Sequence, residues 1–189
     1  MRTYREAMKG LLPTPSKSHY TFNLRDFSRV VQGVLLQEPS DQFQNKPSVM
    51  RLWTHEALRV FGDRLTDDTD RQWMCDHCSA MCKEVFKCDF QSEFDHIRPA
   101  DETETGYGTL RRLFWGDYMT PADEDERPYA EVPDLQQLQE RTEEALADFN
   151  SASKKPMELV MFMFAIEHVS RIARVLRMPG GNALLVGVG

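Results

Sequence analysis

The chain has 189 residues, a formal net charge of −7, 41% apolar residues and 28% charged residues. This is the balance of a soluble globular protein, and no uninterrupted apolar run nears the ~20 residues a membrane helix needs, so a membrane span is excluded. The acidic excess argues against a general nucleic-acid surface and against a grip on any strongly acidic polymer.

The first residues, MRTYREAMKGLL, hold neither a long apolar core nor a small-residue cleavage site. No secretory signal is read there, and an intracellular chain is the expectation. YREAMKGLL has the pattern of a helix end stopped by Pro13 and Pro15, because proline removes a donor and restricts the residue before it. Asn23 then suits a helix N-cap with Asp26 in the first turn, and Leu24, Phe27, Val30, Val31 and Val34 share one face until about Pro39. Ser48 is read as the cap of SVMRLWTHEALRVFGDRL, whose Leu52, Trp53, Ala57, Val60, Phe61 and Leu65 recur at helical spacing. TDDTDRQWMCDHCSAMCKEVF opens with acids and continues with Met74, Cys78, Met81 and Val85 on one side, which predicts a further helix.

From Phe90 to about Asp134 the periodicity fades, and little regular structure is expected beyond LRRLFWGDYM, a short strand or a packed loop. DLQQLQERTEEALADFN predicts a mostly polar helix anchored by Leu135, Leu138 and Ala145, with a stop at Asn150 and Ser151. In MELVMFMFAIEHVSRIARVLRM the residues Phe162, Ile166, Val169, Ala173 and Leu176 form one apolar stripe, with Arg171, Arg174 and Arg177 off it. Pro179, Gly180 and Gly181 end that helix. ALLV then has the character of a buried strand, running into the glycine turn GVG.

Two motifs bear on chemistry. LLVGVG is compatible with the opening of a phosphate loop, in which glycine geometry frees backbone N–H groups for phosphate, but as a bare motif it is weak: tight-turn glycines are much the commoner explanation, and no lysine follows. CDHCSAMCKEVFKC offers Cys75, His77, Cys78, Cys82 and Cys88 as soft ligands for zinc. Helical spacing instead points Cys75, Cys78 and Cys82 into a core, and such crowded cysteines do not staple distant loops, so reduced thiols and no metal are expected. His55–Glu56 and Glu167–His168 are adjacent on helices and point apart, so neither is read as an acid/base unit; Trp53 and Trp73 are read as core. Arg25 stands out, because a cation in a helix's first turn is unfavourable unless it meets an anion.

PTPSKSHYTFNLRDFSRVVQGVL, RLWTHEALRVFGDRL, LFWGDYM and MELVMFMFAIEHVSRIARVLRMPGGNALLVGVG together resemble dynein heavy chains nearly end to end, and YTFNLRDFSRVVQGVL resembles axonemal, inner-arm members. The resemblance implies a mainly α fold: a helical AAA+ lid, followed by the N-terminal helices and first strand of an α/β P-loop AAA+ domain. Residues 1–13 would end the third AAA+ large domain, 14–131 would form its lid, and 132–189 would begin the fourth module, cut within its P-loop. Arg25 in FNLRD matches the family's sensor arginine, which reaches the terminal phosphate. Met157, Leu159 and Val160 correspond to the fourth module's adenine pocket, and Gly187 and Gly189 to the start of its phosphate loop.

The resemblance further implies an ATP-driven, minus-end-directed microtubule motor of the ciliary or flagellar axoneme. In it this segment would couple nucleotide state between ring modules and would not be catalytic alone. ATP or ADP with Mg2+ would serve the intact motor, with none held tightly by this segment. Its partners would be neighbouring AAA+ modules and the linker, with intermediate chains, light chains and microtubules meeting other regions, and neither nucleic acid nor membrane. The alternative is a self-contained helical interaction module with a structural zinc at Cys75, Cys78, Cys82 and His77.

Overall fold

A computed structural model of the chain describes residues 1–38, 45–121 and 127–187. Its fold is mainly α, with a single small antiparallel sheet among the described residues, and it divides into two units, Met1–Leu113 and Phe114–Gly189.

The first unit opens with helix α1 (Arg2–Gly10), which buries Thr3 and Ala7 and ends before Pro13. The chain comes close to Trp73 there: a Cβ on Gly10 would lie 3.0 Å from the indole nitrogen, a tight contact that the indole would have to relieve. A 3-10 turn over Pro15–Lys17 leads to helix α2 (Leu24–Val34), capped by Asn23 as the pattern predicts. Its face of Phe27, Val30, Val31 and Val34 lines an apolar groove of about 240 Å³ with Tyr4 and Trp53, while Leu24 is exposed. Pro39, the expected stop, lies outside the described residues.

Helix α3 (Lys46–Val60) begins earlier than expected, because Asn45 and not Ser48 is its cap: the Asn45 side chain accepts from the Ser48 N–H at 2.8 Å. Pro47 fills the first turn, where its missing N–H costs nothing. Residues on several faces of α3 are buried, Met50, Leu52, His55, Glu56, Leu58 and Val60 among them, which makes it the central rod of the unit rather than a helix with one apolar stripe. Helix α4 (Asp68–Met81), capped by Asp67, buries Met74, Cys75, Cys78 and Met81. Beyond it the chain widens into a π turn over Cys82–Phe86, closed by Lys87 at φ 59° and by the Cys88 N–H on the Cys82 carbonyl at 3.2 Å. The wider turn breaks the 3.6-residue register, so Val85 is exposed and not on the Met74 face.

The stretch after Phe90 is more ordered than its sequence suggests. Short helices α5 (Phe90–Glu93) and α6 (Tyr107–Arg111) flank a 3-10 turn at Asp95–Ile97. Phe90, Phe94 and Ile97 fall at helical spacing and are buried, the two rings meeting edge-on at 5.1 Å.

In the second unit, strands β1 (Phe114–Gly116) and β2 (Ala130–Val132) pair antiparallel, with Phe114 opposite Val132. Helices α7 (Leu135–Ala152) and α8 (Met163–Arg177) follow, α7 capped by the Asp134 side chain; of its expected anchors Leu138 is buried, whereas Ala145 is exposed. The core is small: Phe114, Val132, Leu138 and Ile166, with Leu135, Met161 and Met163 packed against them. The expected stripe of α8 is corrected. Its buried residues are Ile166, Glu167, Ser170 and Arg174, while Phe162 ahead of it and Val169 and Leu176 on it are exposed, because the face turned to β1 and α7 is a different one. Arg174, assigned to the polar side, is therefore buried.

After α8 a turn closes by the Gly181 N–H on the Met178 carbonyl at 2.8 Å, with Pro179 second and Gly180 third at φ 67°, where only glycine is unstrained. The strand expected at Ala183–Val186 is not formed. Leu184 is 90% exposed, and no described strand pairs with this stretch to satisfy its N–H and C=O groups. Leu138→Ala is expected to lower the stability of the second unit by about 2–5 kcal/mol. Amide exchange at Ile166 would read it, and unchanged protection would show that this cluster is not the unit's core.

Candidate functional site

Arg25 occupies the first turn of α2, and everything beneath its side chain is fixed. The Asn23 side-chain oxygen accepts from the Arg25 N–H at 2.8 Å, while the Asp26 carboxylate accepts from the Asn23 N–H at 2.9 Å. This reciprocal box sets the backbone of residues 23 to 26. Asp26 has a side chain only 2% exposed and receives the fork of Arg64, from the turn Gly62–Arg64 after α3, at 2.5 and 3.3 Å. The Arg64 guanidinium also lies 5.3 Å from the centre of the Phe22 ring, and its carbonyl oxygen is 2.8 Å from His19 Nε2. Arg29 reaches the same carboxylate at 3.9 Å. Arg25 itself is exposed and has no ion-pair partner among the described residues.

Met157, Leu159 and Val160 lie together on an exposed irregular stretch between α7 and α8. Asn150 holds one end of it: its amide donates to the Met157 carbonyl and accepts from the Met157 N–H, both at 2.8 Å. Gly187 is exposed beyond the Gly180 turn, and Gly189 lies outside the described residues. Arg25 belongs to the first unit, and the other candidates to the second.

The AAA+ lid-domain family model matches residues 3–97, half of the chain and wholly within the first unit. The model of the P-loop-containing dynein motor region D4 matches 157–189, within the second. The chain is 47% identical over 190 residues to mouse dynein axonemal heavy chain 12, covering 100% of the chain and 6% of that relative. It is 48% identical over 186 residues to human dynein axonemal heavy chain 3, covering 98% of the chain and 4% of the relative. With mouse dynein axonemal heavy chain 1 it shares 40% over 179 residues, covering 95% and 4%. The chain belongs to the dynein heavy-chain family of AAA+ proteins. It spans only about a twentieth of the length of the curated relatives it matches.

Within this dynein lid the cysteines do not assemble into a ligand set. Cys75, Cys78 and Cys82 are buried along α4 and its π turn, but His77 faces away from them, stacked on Trp73 at 5.4 Å, with Nε2 3.1 Å from the Thr3 hydroxyl. The zinc set Cys75, Cys78, Cys82 and His77 is thus corrected: the helix turns its histidine to α1. Among the described residues no group of three or more His, Cys, Asp or Glu is arranged to hold a metal ion.

Burial raises the Cys75 thiol to about 11 and the Cys82 thiol to about 12, and pushes Cys78 higher still. Near neutral pH these thiols are protonated and poor nucleophiles. Half-exposed Cys88 should therefore alkylate first in the native chain at pH ~8, with Cys75 labelling about tenfold faster per unit of added pH. Peptide mapping after iodoacetamide would read this, and native Cys75 labelling as fast as Cys88 would contradict it.

His77 takes up its proton less readily than an ordinary histidine, because burial disfavours the charged ring and Arg2 adds repulsion against the opposing pull of Glu6. The unfolded chain then binds more protons than the folded one as pH falls below the ordinary value of 6.5. Stability is full above that pH and declines below it. His77→Gln should flatten this acid slope in urea titrations, and an unchanged slope would assign it elsewhere.

The two adjacent His–Glu pairs differ from each other. His55 and Glu56 are both buried and approach to 3.9 Å, closer than adjacent helical residues were expected to come, with His55 Nδ1 held 3.0 Å from the Leu113 carbonyl. Glu167 pairs with Arg171 at 3.4 Å, whereas the exposed His168 meets the Phe164 ring. No helix among the described residues is long and apolar enough to cross a membrane.

Proposed function

We propose that this chain is the part of an axonemal dynein heavy chain that couples nucleotide state between neighbouring ring modules. Residues 1–13 end the third AAA+ large domain, 14–131 are its lid, and 132–189 begin the fourth module. The observation that carries the reading is Arg25: an exposed guanidinium on a fully braced helix start, in a family that binds nucleotide at AAA+ modules. A cation there opposes the helix dipole, and the terminal phosphate of a nucleotide held by the third module offsets that cost.

ATP or ADP with Mg2+ supplies the phosphate chemistry to the intact motor. Arg25 binds and orients the terminal phosphate by its planar fork. Met157, Leu159 and Val160 line the adenine face of the fourth module, and their exposed apolar side chains suit a flat base. Gly187 and Gly189 open its phosphate loop. The whole motor moves toward microtubule minus ends in the axoneme of cilia or flagella, with intermediate chains, light chains and microtubules meeting other regions. The lid transmits phosphate occupancy as rigid-body rotation, a reading supported by the bracing of the α2 start against the turn after α3.

Arg25→Ala in the intact heavy chain should weaken ADP binding at the third module about tenfold or more, the worth of a charge-assisted hydrogen bond, and slow microtubule gliding. Thermal stability should hold, because Arg25 is a surface residue. Calorimetry and gliding assays would test it, and unchanged affinity with unchanged gliding would overturn the reading.

A further inference from the structure

Arg25 has a rigid base and an unrestrained tip, and the rigidity comes from a residue far along the chain. The capping box fixes residues 23 to 26 locally, but a box alone rides on a helix end that can swing. Arg64 ties that box to the end of α3: its two-pronged grip on the buried Asp26 carboxylate fixes both distance and plane. Its backbone carbonyl meets His19 and its guanidinium covers Phe22, so the whole approach from residue 19 to 26 is referenced to the central helix. Phe22 in turn packs on Phe61 at 5.4 Å, just before the turn that carries Arg64.

We propose that Arg64 is a positioning residue for Arg25, acting through the Asp26 carboxylate to hold the sensor at a fixed height and direction over bound phosphate. The proposal rests on the reading of Arg25 given above. Arg64 touches no nucleotide in this scheme. It lowers the freedom that Arg25 must lose on meeting phosphate, which is how a bracing shell raises affinity. Lysine in its place keeps the charge but cannot make the fork.

The test is a double-mutant cycle in the intact heavy chain, with MgADP as the probe and calorimetry at the third module as the readout. Arg64→Lys is the main variant because it leaves Asp26 paired; Arg64→Ala is used where thermal unfolding shows that it folds. Arg25→Ala should weaken MgADP about tenfold and Arg64→Lys about threefold, while the double variant should be no weaker than Arg25→Ala alone. A merely structural role for Arg64 would weaken binding equally with or without Arg25. Multiplying losses in the double variant, or full affinity in Arg64→Lys, overturns the positioning role and leaves Arg25 as sensor. Full affinity in Arg25→Ala overturns both.

Discussion

The buried carboxylate of Asp26 is the joint on which the first unit turns. Taking an anion out of water is costly unless its lone pairs are met, and here they are met by the Asn23 N–H and by both prongs of Arg64, with Arg29 further off. Removing one partner of such a pair leaves a charge stranded, at a cost on the order of a few kcal/mol, lessened here because the Arg64 side chain is 27% exposed. The same network sets the start of α2, the close of α3 and the path of residues 19 to 22. A second clamp holds the other side of this segment. Lys17 lies between Asp67 and Asp70 at the start of α4, and Tyr20 donates to Asp70 at 2.7 Å. The loop from α1 to α2 is thus anchored to the start of α4 by charge-assisted bonds and to the turn after α3 by the His19 contact with the Arg64 carbonyl.

The second unit is built on a different balance. Its core is a small cluster around Phe114, Val132, Leu138 and Ile166, and the amphipathic logic of α8 is satisfied on only one side. Phe162, Phe164, Val169 and Leu176 remain exposed while Glu167, Ser170 and Arg174 are buried. The buried polar residues are tied into pairs, such as Glu167 with Arg171, and Arg177 reaches Asp117 at 2.9 Å from the end of α8. Polar contacts along this helix therefore share with a thin apolar core the work of fixing its orientation.

Much of the fold was legible because helices announce themselves locally. Asn23 caps as its position implies, acids open α4 as expected, and Met74, Cys78, Met81 and Leu138 are buried where periodicity puts them. The errors have local causes too. The start of α3 differs because both Asn45 and Ser48 are good caps by residue type, and Asn45 takes the role with Pro47 inside the first turn, where its missing N–H costs nothing. The π turn at Cys82–Phe86 has no signature in residue type, so Val85 was placed on a face the backbone had already left. The stripe of α8 failed for another reason. A sequence reports which residues are apolar, whereas the partner elements decide which face is covered, and the strands that cover it are only three residues long.

The candidate site divides along the same line. Arg25 could be singled out from its own neighbours, because a cation in a first turn conflicts with the helix dipole and the conflict is visible within four residues. Arg64 could not, since 38 residues separate it from the carboxylate it grips. In GDRL it is one arginine among many, and no periodicity links it to FNLRD. A charged residue in a loop offers the chain no apolar pattern to follow; its role exists only once α2 and α3 are laid side by side. Apolar periodicity therefore predicts which helices form, while the polar contact that aims a functional side chain becomes visible only when those helices have packed.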